Sequence, residues 1–164
     1  MIRPISAISS NRVYLDTNAF YLLLREVASQ ATELFRKIER GNLYAYTSAL
    51  SFDELAYRLL LGLIRDVYGK SPLDRLRQDE SGMVAEFSSK VDLLLARVMS
   101  YPHLTVVSVE QSDILSMREN VRQLRLMPRD ALHLAAMQKV DCFHLVSQDS
   151  DFDHIPGITR YTLG

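Results

Sequence analysis

One stretch constrains the chain more than any other. It runs Met127-Pro128-Arg129-Asp130-Ala131-Leu132-His133-Leu134-Ala135-Ala136-Met137, then Cys142-Phe143-His144-Leu145-Val146, then Ser147-Gln148-Asp149-Ser150-Asp151-Phe152. Pro128 suits a first helical position, and Ala131, Leu134 and Ala135 repeat at helical spacing. The apolar run that follows fits a strand buried in a parallel sheet. One acid therefore opens a helix, and two more follow the carboxyl end of the next strand. In open α/β sheets that edge is where ligands bind.

The start of the chain repeats the arrangement. Arg12-Val13-Tyr14-Leu15 is a short strand, Asp16-Thr17-Asn18 follows it, and Ala19 to Leu24 continues as an apolar helix. Between these ends, Ser29 to Arg40 reads as a helix closed by Gly41-Asn42. Leu43 to Thr47 reads as an aromatic-rich strand. Ser48 or Ser51 is expected to cap a helix reaching about Val67, broken from Gly69 to Pro72. A long helical region from Leu73 to Met99 follows, interrupted near Ser81-Gly82. Leu104 to Val107 is a third strand, and Ser108 with Gln111 forms a capping-box pair for the next helix. Ile158 to Leu163 is expected to add a last, edge strand. Strands alternate with helices, which predicts a three-layer α/β/α domain on a mostly parallel sheet of about four to five strands. At 164 residues the chain is one domain, residues 1–164, with residues 1–11 as a loosely held lead-in.

Composition excludes several classes. Met1 to Asn11 has no apolar signal region, and the run Leu59 to Ile64 is far too short to cross a bilayer, so a cytoplasmic protein without membrane contact is expected. The single Cys142 cannot form an internal disulfide and reads as a core thiol. The net charge of −1 argues against a strongly basic nucleic-acid binder. Setting aside Asp16, Glu54, Asp130, Asp149 and Asp151 leaves 15 acids against 19 bases, a remainder of +4. An acidic pocket in a mildly basic surround suits a phosphodiester held by metal ions.

Each acid has a structural reading of its own. Asp16 and Asp149 are placed as helix N-caps, Asp130 as an acid favoured by a helix dipole, and Glu54 as the partner of Ser51 in a capping box. Together they point to one edge. Carboxylates crowded there raise one another's pKa values, and hard divalent cations relieve the repulsion. Oxygen donors favour Mg²⁺ or Mn²⁺ over zinc, and the matching chemistry is activated water attacking phosphorus. If Glu54 faces the other acids, removing its charge is expected to leave the metal-free protein at least as stable. His133 and His144 are expected to pack rather than bind metal, because no His/Cys set accompanies them. Arg129 is placed either at a substrate phosphate or in a surface ion pair.

The set Asp16-Thr17-Asn18, Glu54, Arg129-Asp130-Ala131 and Ser147-Gln148-Asp149-Ser150-Asp151-Phe152 resembles a PIN domain, most of all the ribonuclease toxins of VapBC toxin–antitoxin pairs. The likeness spans Val13 to Phe152. It implies an endoribonuclease dependent on Mg²⁺ or Mn²⁺, with Asp16, Glu54, Asp130 and Asp149 as the catalytic and metal-binding acids. It also implies Asp151 as an auxiliary metal ligand, Asn18 and Ser147 as orienting groups, RNA as substrate and a protein antitoxin as partner. Ser147 stands where the family often has Thr, which keeps the hydroxyl. The Leu73 to Met99 region is long for a compact toxin. Its stripe, with the helix from Leu55 to Val67, offers apolar surface for a homodimer, for an antitoxin helix, or for plain core packing. A non-catalytic RNA- or protein-binding PIN-like module is the competing reading. A haloacid-dehalogenase-type phosphatase is set aside because Asn18 stands where that chemistry wants a second Asp.

Overall fold

The structure, a computed structural model, describes residues 3–163. Six strands form one sheet: β1 Arg3–Pro4, β2 Arg12–Leu15, β3 Tyr44–Ser48, β4 Leu104–Val107, β5 His144–Val146 and β6 Thr159–Thr162. Their order is β1-β6-β5-β2-β3-β4, and every pairing is parallel. Seven α-helices connect them among the described residues: α1 Thr17–Leu24, α2 Ser29–Glu39, α3 Ala49–Tyr68, α4 Pro72–Gln78, α5 Glu80–Met99, α6 Gln111–Leu124 and α7 Pro128–Lys139.

The pleat of β2 sets the layers. Val13 and Leu15 point into one core with Phe20, Leu34, Phe35, Ile38, Leu55 and Val98, from α1, α2, α3 and α5. Tyr14, one residue out of phase, points to the opposite core with Leu145, Ala131, Leu134 and Met137. Successive strand side chains alternate between faces, so a strand of four buries both. The three layers expected from the sequence are present.

The connections also place the site. From β2 the chain steps outward through β3 to β4, then returns over α6 and α7 to lay β5 on the other side of β2. The strand order therefore reverses between β2 and β5. Asp16 leaves the carboxyl end of one of these strands, and the Ser147–Asp151 segment leaves the other. A reversal of this kind opens a crevice at the carboxyl edge, where α/β sheets bind ligands.

Several sequence expectations need correction. The sheet has six strands rather than four to five, because Arg3–Pro4 pairs alongside Tyr161 and Thr162. That pairing makes β1, not β6, the edge, and Ile5 is buried in the core, so this part of the lead-in is tied down. Met1 and Ile2 lie outside the described residues. The long helical region breaks at Asp79, whose carboxylate accepts a hydrogen bond from the Gly82 N–H at 3.0 Å. A Cβ at Gly82 would run into that carboxylate, so a side chain there would displace the cap of α5. The helix α6 starts with Glu110 as its cap, and Asp113 accepts from the Glu110 N–H at 2.7 Å. Ser108 stands outside that box and donates to the Glu110 carboxylate at 2.9 Å. The apolar residues of α3 and α5 serve two clusters: Leu55, Leu59 and Val98 enter the core under β2, and Leu63, Ile64, Met83 and Phe87 form a third cluster with Leu76 of α4. Among the described residues no helix is long and apolar enough to cross a membrane.

Candidate active site

Four elements send carboxylates to a single pocket of about 240 Å³. Asp16 comes from the β2–α1 junction, Glu54 from α3, Asp130 from the first turn of α7 and Asp149 from the segment after β5. Thr17, Asn18, Tyr57, Arg58, Arg129 and His133 complete the lining. The donor atoms fall into two groups: those of Asp16, Glu54 and His133 lie within 4.8 Å of one another, as do those of Asp130, Asp149 and Asp151.

The structural readings of Asp16 and Asp149 hold alongside their place in the site. Asp16 is the N-cap of α1 and accepts from the Thr17 N–H at 2.6 Å. Its second oxygen accepts from the Ser147 hydroxyl at 2.7 Å, while Ser147 itself accepts from the Asp149 N–H at 3.0 Å. One buried serine thus ties the acid after β2 to the acid after β5. Asp149 caps the short 3-10 turn Ser150–His154 by accepting from the Asp151 N–H at 2.8 Å. Buried Arg160 secures the same segment from below. It donates to the Ser147 carbonyl at 3.0 Å and grips Asp153 through two nitrogens at 2.8 and 2.7 Å.

Glu54 is not a capping residue. The helix α3 begins at Ala49, and Ser51 lies inside it with its hydroxyl 2.7 Å from Thr47 Oγ1. Thr47 has one proton, and the Leu15 carbonyl at 2.9 Å can only accept it, so Ser51 donates to Thr47. Glu54 is thereby left to the pocket. It accepts from the Thr17 hydroxyl at 2.7 Å, faces His133 Nε2 at 3.4 Å and meets Arg129 at 3.3 Å. Burial pushes this carboxyl up, but the bonds from His133 and Thr17 and the charge of Arg129 outweigh it and hold it below the ordinary range.

Asp130 is the opposite case. Burial first, then the negative charge of Asp149, raise its carboxyl to about 6. The helix dipole at the start of α7 does not compensate. Within one pocket, ionisation of one carboxyl is favoured and ionisation of another is opposed.

His133 was not expected here. It is buried, with Nδ1 3.0 Å from the Tyr14 hydroxyl and Nε2 4.0 Å from Asp16. Burial drives the Tyr14 phenol far above its ordinary pKa, so it keeps a proton to donate to Nδ1. With Nδ1 engaged by Tyr14, Nε2 faces the carboxylates of Glu54 and Asp16. The signal was available: His133 is three residues beyond Asp130 on α7, and Tyr57 and Arg58 are three and four beyond Glu54 on α3, the spacings that share a helix face. Arg129 realises one of its two expected roles, since it pairs with Glu54 and reaches Asp53 at 3.9 Å. Asn18 accepts from Arg58 at 2.6 Å.

These contacts revise the expectation for Glu54. Its charge is favourable in the fold, so Glu54→Gln should cost the metal-free protein about 1–2 kcal/mol at neutral pH, the scale of a lost charge-assisted hydrogen bond. The sign follows from the depressed pKa: this stability is present above the ordinary carboxylate pKa and fades as pH falls through the folded value. Denaturant unfolding of the variant at neutral and acidic pH checks it, and a Glu54→Gln protein of wild-type stability or above would refute it.

A parallel α/β sheet with acids gathered at the point where its strand order reverses defines the class. The chain belongs to the PIN domain family, whose model matches residues 13–158. No curated protein sequence matches it. Solved structures similar in fold include VapBC2 from Rickettsia felis bound to a promoter DNA fragment, at TM-score 0.61 and 13% identity, covering 93% of this chain and 99% of that one. VapC20 of Mycobacterium tuberculosis, a toxin that cleaves the sarcin–ricin loop, aligns at TM-score 0.58 and 15% identity over 90% and 96% of the two chains. A toxin–antitoxin complex from Klebsiella pneumoniae aligns at 0.51 and 17% over 90% and 95%. At these identities the likeness bears on the fold.

Proposed function

We propose that the protein is a metal-dependent endoribonuclease and the toxin of a toxin–antitoxin pair, with Asp16, Glu54, Asp130 and Asp149 as its catalytic acids. The observation that carries this reading is the convergence of those four carboxylates, from four separate elements, on one pocket. The donor set fits Mg²⁺ or Mn²⁺: it is dominated by hard oxygen atoms, and burial together with the charge of Asp149 opposes ionisation of Asp130, a cost that a cation offsets. Asp16 and Glu54 would hold it from one side, and Asp130, Asp149 and Asp151 from the other. When bound, such an ion neutralises charge at a phosphodiester and makes water acidic enough to attack phosphorus.

The remaining work belongs to the chain. Ser147 holds Asp16 and the Asp149 backbone in one arrangement, and Thr17 does the same for Glu54. Arg129 is mostly exposed, so its guanidinium is free to turn from Glu54 to a substrate phosphate, for which its planar fork is suited. His133 Nε2 holds Glu54 in place and is itself oriented by Tyr14.

A protein partner is supported by the toxin–antitoxin complexes among the structural neighbours and by an apolar groove between α3 and α5, lined by Ala56, Tyr57, Leu60, Val84, Val91 and Leu95. A second copy of the chain is the competing occupant of that groove. Action in the cytoplasm accords with an RNA substrate. The test is direct: purified protein should cleave single-stranded RNA in Mg²⁺ or Mn²⁺, stop in EDTA, and lose cleavage in Asp149→Asn. RNA bound but left intact under all these conditions would replace the nuclease with a binding module.

A further inference from the structure

We infer a second binding site beside the acid pocket, built from Arg58, Arg65 and Tyr21, that holds backbone phosphates of single-stranded RNA on one side of the scissile bond; it rests on the nuclease reading above. Arg58 lines two pockets at once. One is the acid pocket, and the other is an adjoining hollow of about 250 Å³ formed by Tyr21, Leu61, Gly62, Arg65 and Pro72. Among the described residues no carboxylate lines the second hollow. A strand leaving the acids along α3 therefore passes directly from an anionic to a cationic surface.

Arg58 is held for such a role. Its guanidinium lies 4.5 Å from the centre of the Tyr21 ring and donates to Asn18 Oδ1 at 2.6 Å. Both partners are neutral, so they fix the side chain without cancelling its charge, and the ordering entropy is already spent before a ligand arrives. Arg65 follows seven residues later on α3, about 10 Å along the same face. It makes no ion pair among the described residues. The acid next to it, Asp66, is taken by Arg25 through two bonds at 2.5 and 2.8 Å. The neutralisation of Asp66 leaves the charge of Arg65 open to an incoming anion.

Gly62 keeps the floor of the hollow low. A Cβ there would stand 3.1 Å from the Tyr21 hydroxyl, so a side chain would crowd the end of that ring. Two unneutralised guanidiniums on one helix face, one of them held by an aromatic ring of α1, match the backbone of a single strand, with forks for its phosphate oxygens.

Fluorescein-labelled oligouridine and the non-cleaving Asp149→Asn protein test this by anisotropy across a salt series. Adding Arg65→Gln should weaken binding several-fold and reduce the magnitude of the salt slope by about 0.7, the value for one phosphate contact on a single strand. Arg65→Lys should restore the slope, whereas Arg36→Gln, on α2 and outside both pockets, should leave both unchanged. Equal affinity and slope in Arg65→Gln, or no binding of oligouridine by the Asp149→Asn protein, would overturn the inference. Cleavage by the wild type is scored separately. An Arg65-dependent salt slope without cleavage keeps this site and removes the nuclease, and cleavage with an Arg65-independent slope does the reverse.

Discussion

Asp130→Asn is expected to give a protein that is more stable than the wild type at about pH 8 without metal, and that no longer cleaves RNA. The stability gain comes from the raised pKa. A carboxyl moved from 3.8 to about 6 by burial and by Asp149 is unfavourable when ionised. Because the folded value lies above the unfolded one, its favourable contribution is complete below the unfolded pKa and is lost as pH rises through the folded value. Above that value the wild type carries a penalty that Asn does not. The full shift would exceed this, but Asp130 is partly open to solvent, so screening reduces the expected gain to about 1–2 kcal/mol, or a few degrees in Tm. Cleavage should fall more than about 100-fold, since an amide is a poor donor to a hard cation. The opposing result is a variant less stable than the wild type at high pH, or one that retains activity. Either would mean that Asp130 is a favourable cap at the start of α7 and nothing more.

The metal response should follow the same titration. A cation that binds only the folded state at about one hundred times its Kd adds roughly 2.7 kcal/mol. Protons compete for Asp130, so the rise in Tm on adding Mn²⁺ should be large above about pH 7 and shrink as pH falls through the folded value of about 6. Asp149→Asn should blunt the rise, both by removing a ligand and by lowering the repulsion that the cation relieves. Thermal unfolding at two pH values, with and without Mn²⁺, measures this. A shift independent of pH would show that the ion binds elsewhere.

Much of this was legible in the sequence because it is local. Each strand around the site is a short apolar run ended by a polar residue, and each acid follows such a run or opens a helix. Asp16, Asp130 and Asp149 could be placed at the carboxyl edge on that basis alone. Glu54 was ambiguous, since Ser51 three residues earlier mimics a capping box; only the pairing of Ser51 with Thr47, four residues back across the strand–helix junction, removes the ambiguity. Other features depend on distant partners. Arg3–Pro4 is a strand because Tyr161 and Thr162 lie beside it, and no pattern within two residues announces that. His133 joins the site because Tyr14, 119 residues away, turns its ring toward Glu54. The site's divided electrostatics were equally hidden. Crowding predicted raised pKa values for all the acids, whereas His133, Thr17 and Arg129 reverse the direction at Glu54.

The central claim is that the carboxylates at the β2–β5 reversal hold a divalent cation, and anomalous scattering from crystals soaked in Mn²⁺ tests it most directly. The account expects a manganese peak in the pocket between the Asp16–Glu54 and Asp130–Asp149 groups, and its loss in Asp149→Asn crystals soaked in the same way. A wild-type map with that pocket empty of manganese, or with the metal bound only at other surface acids, would contradict it.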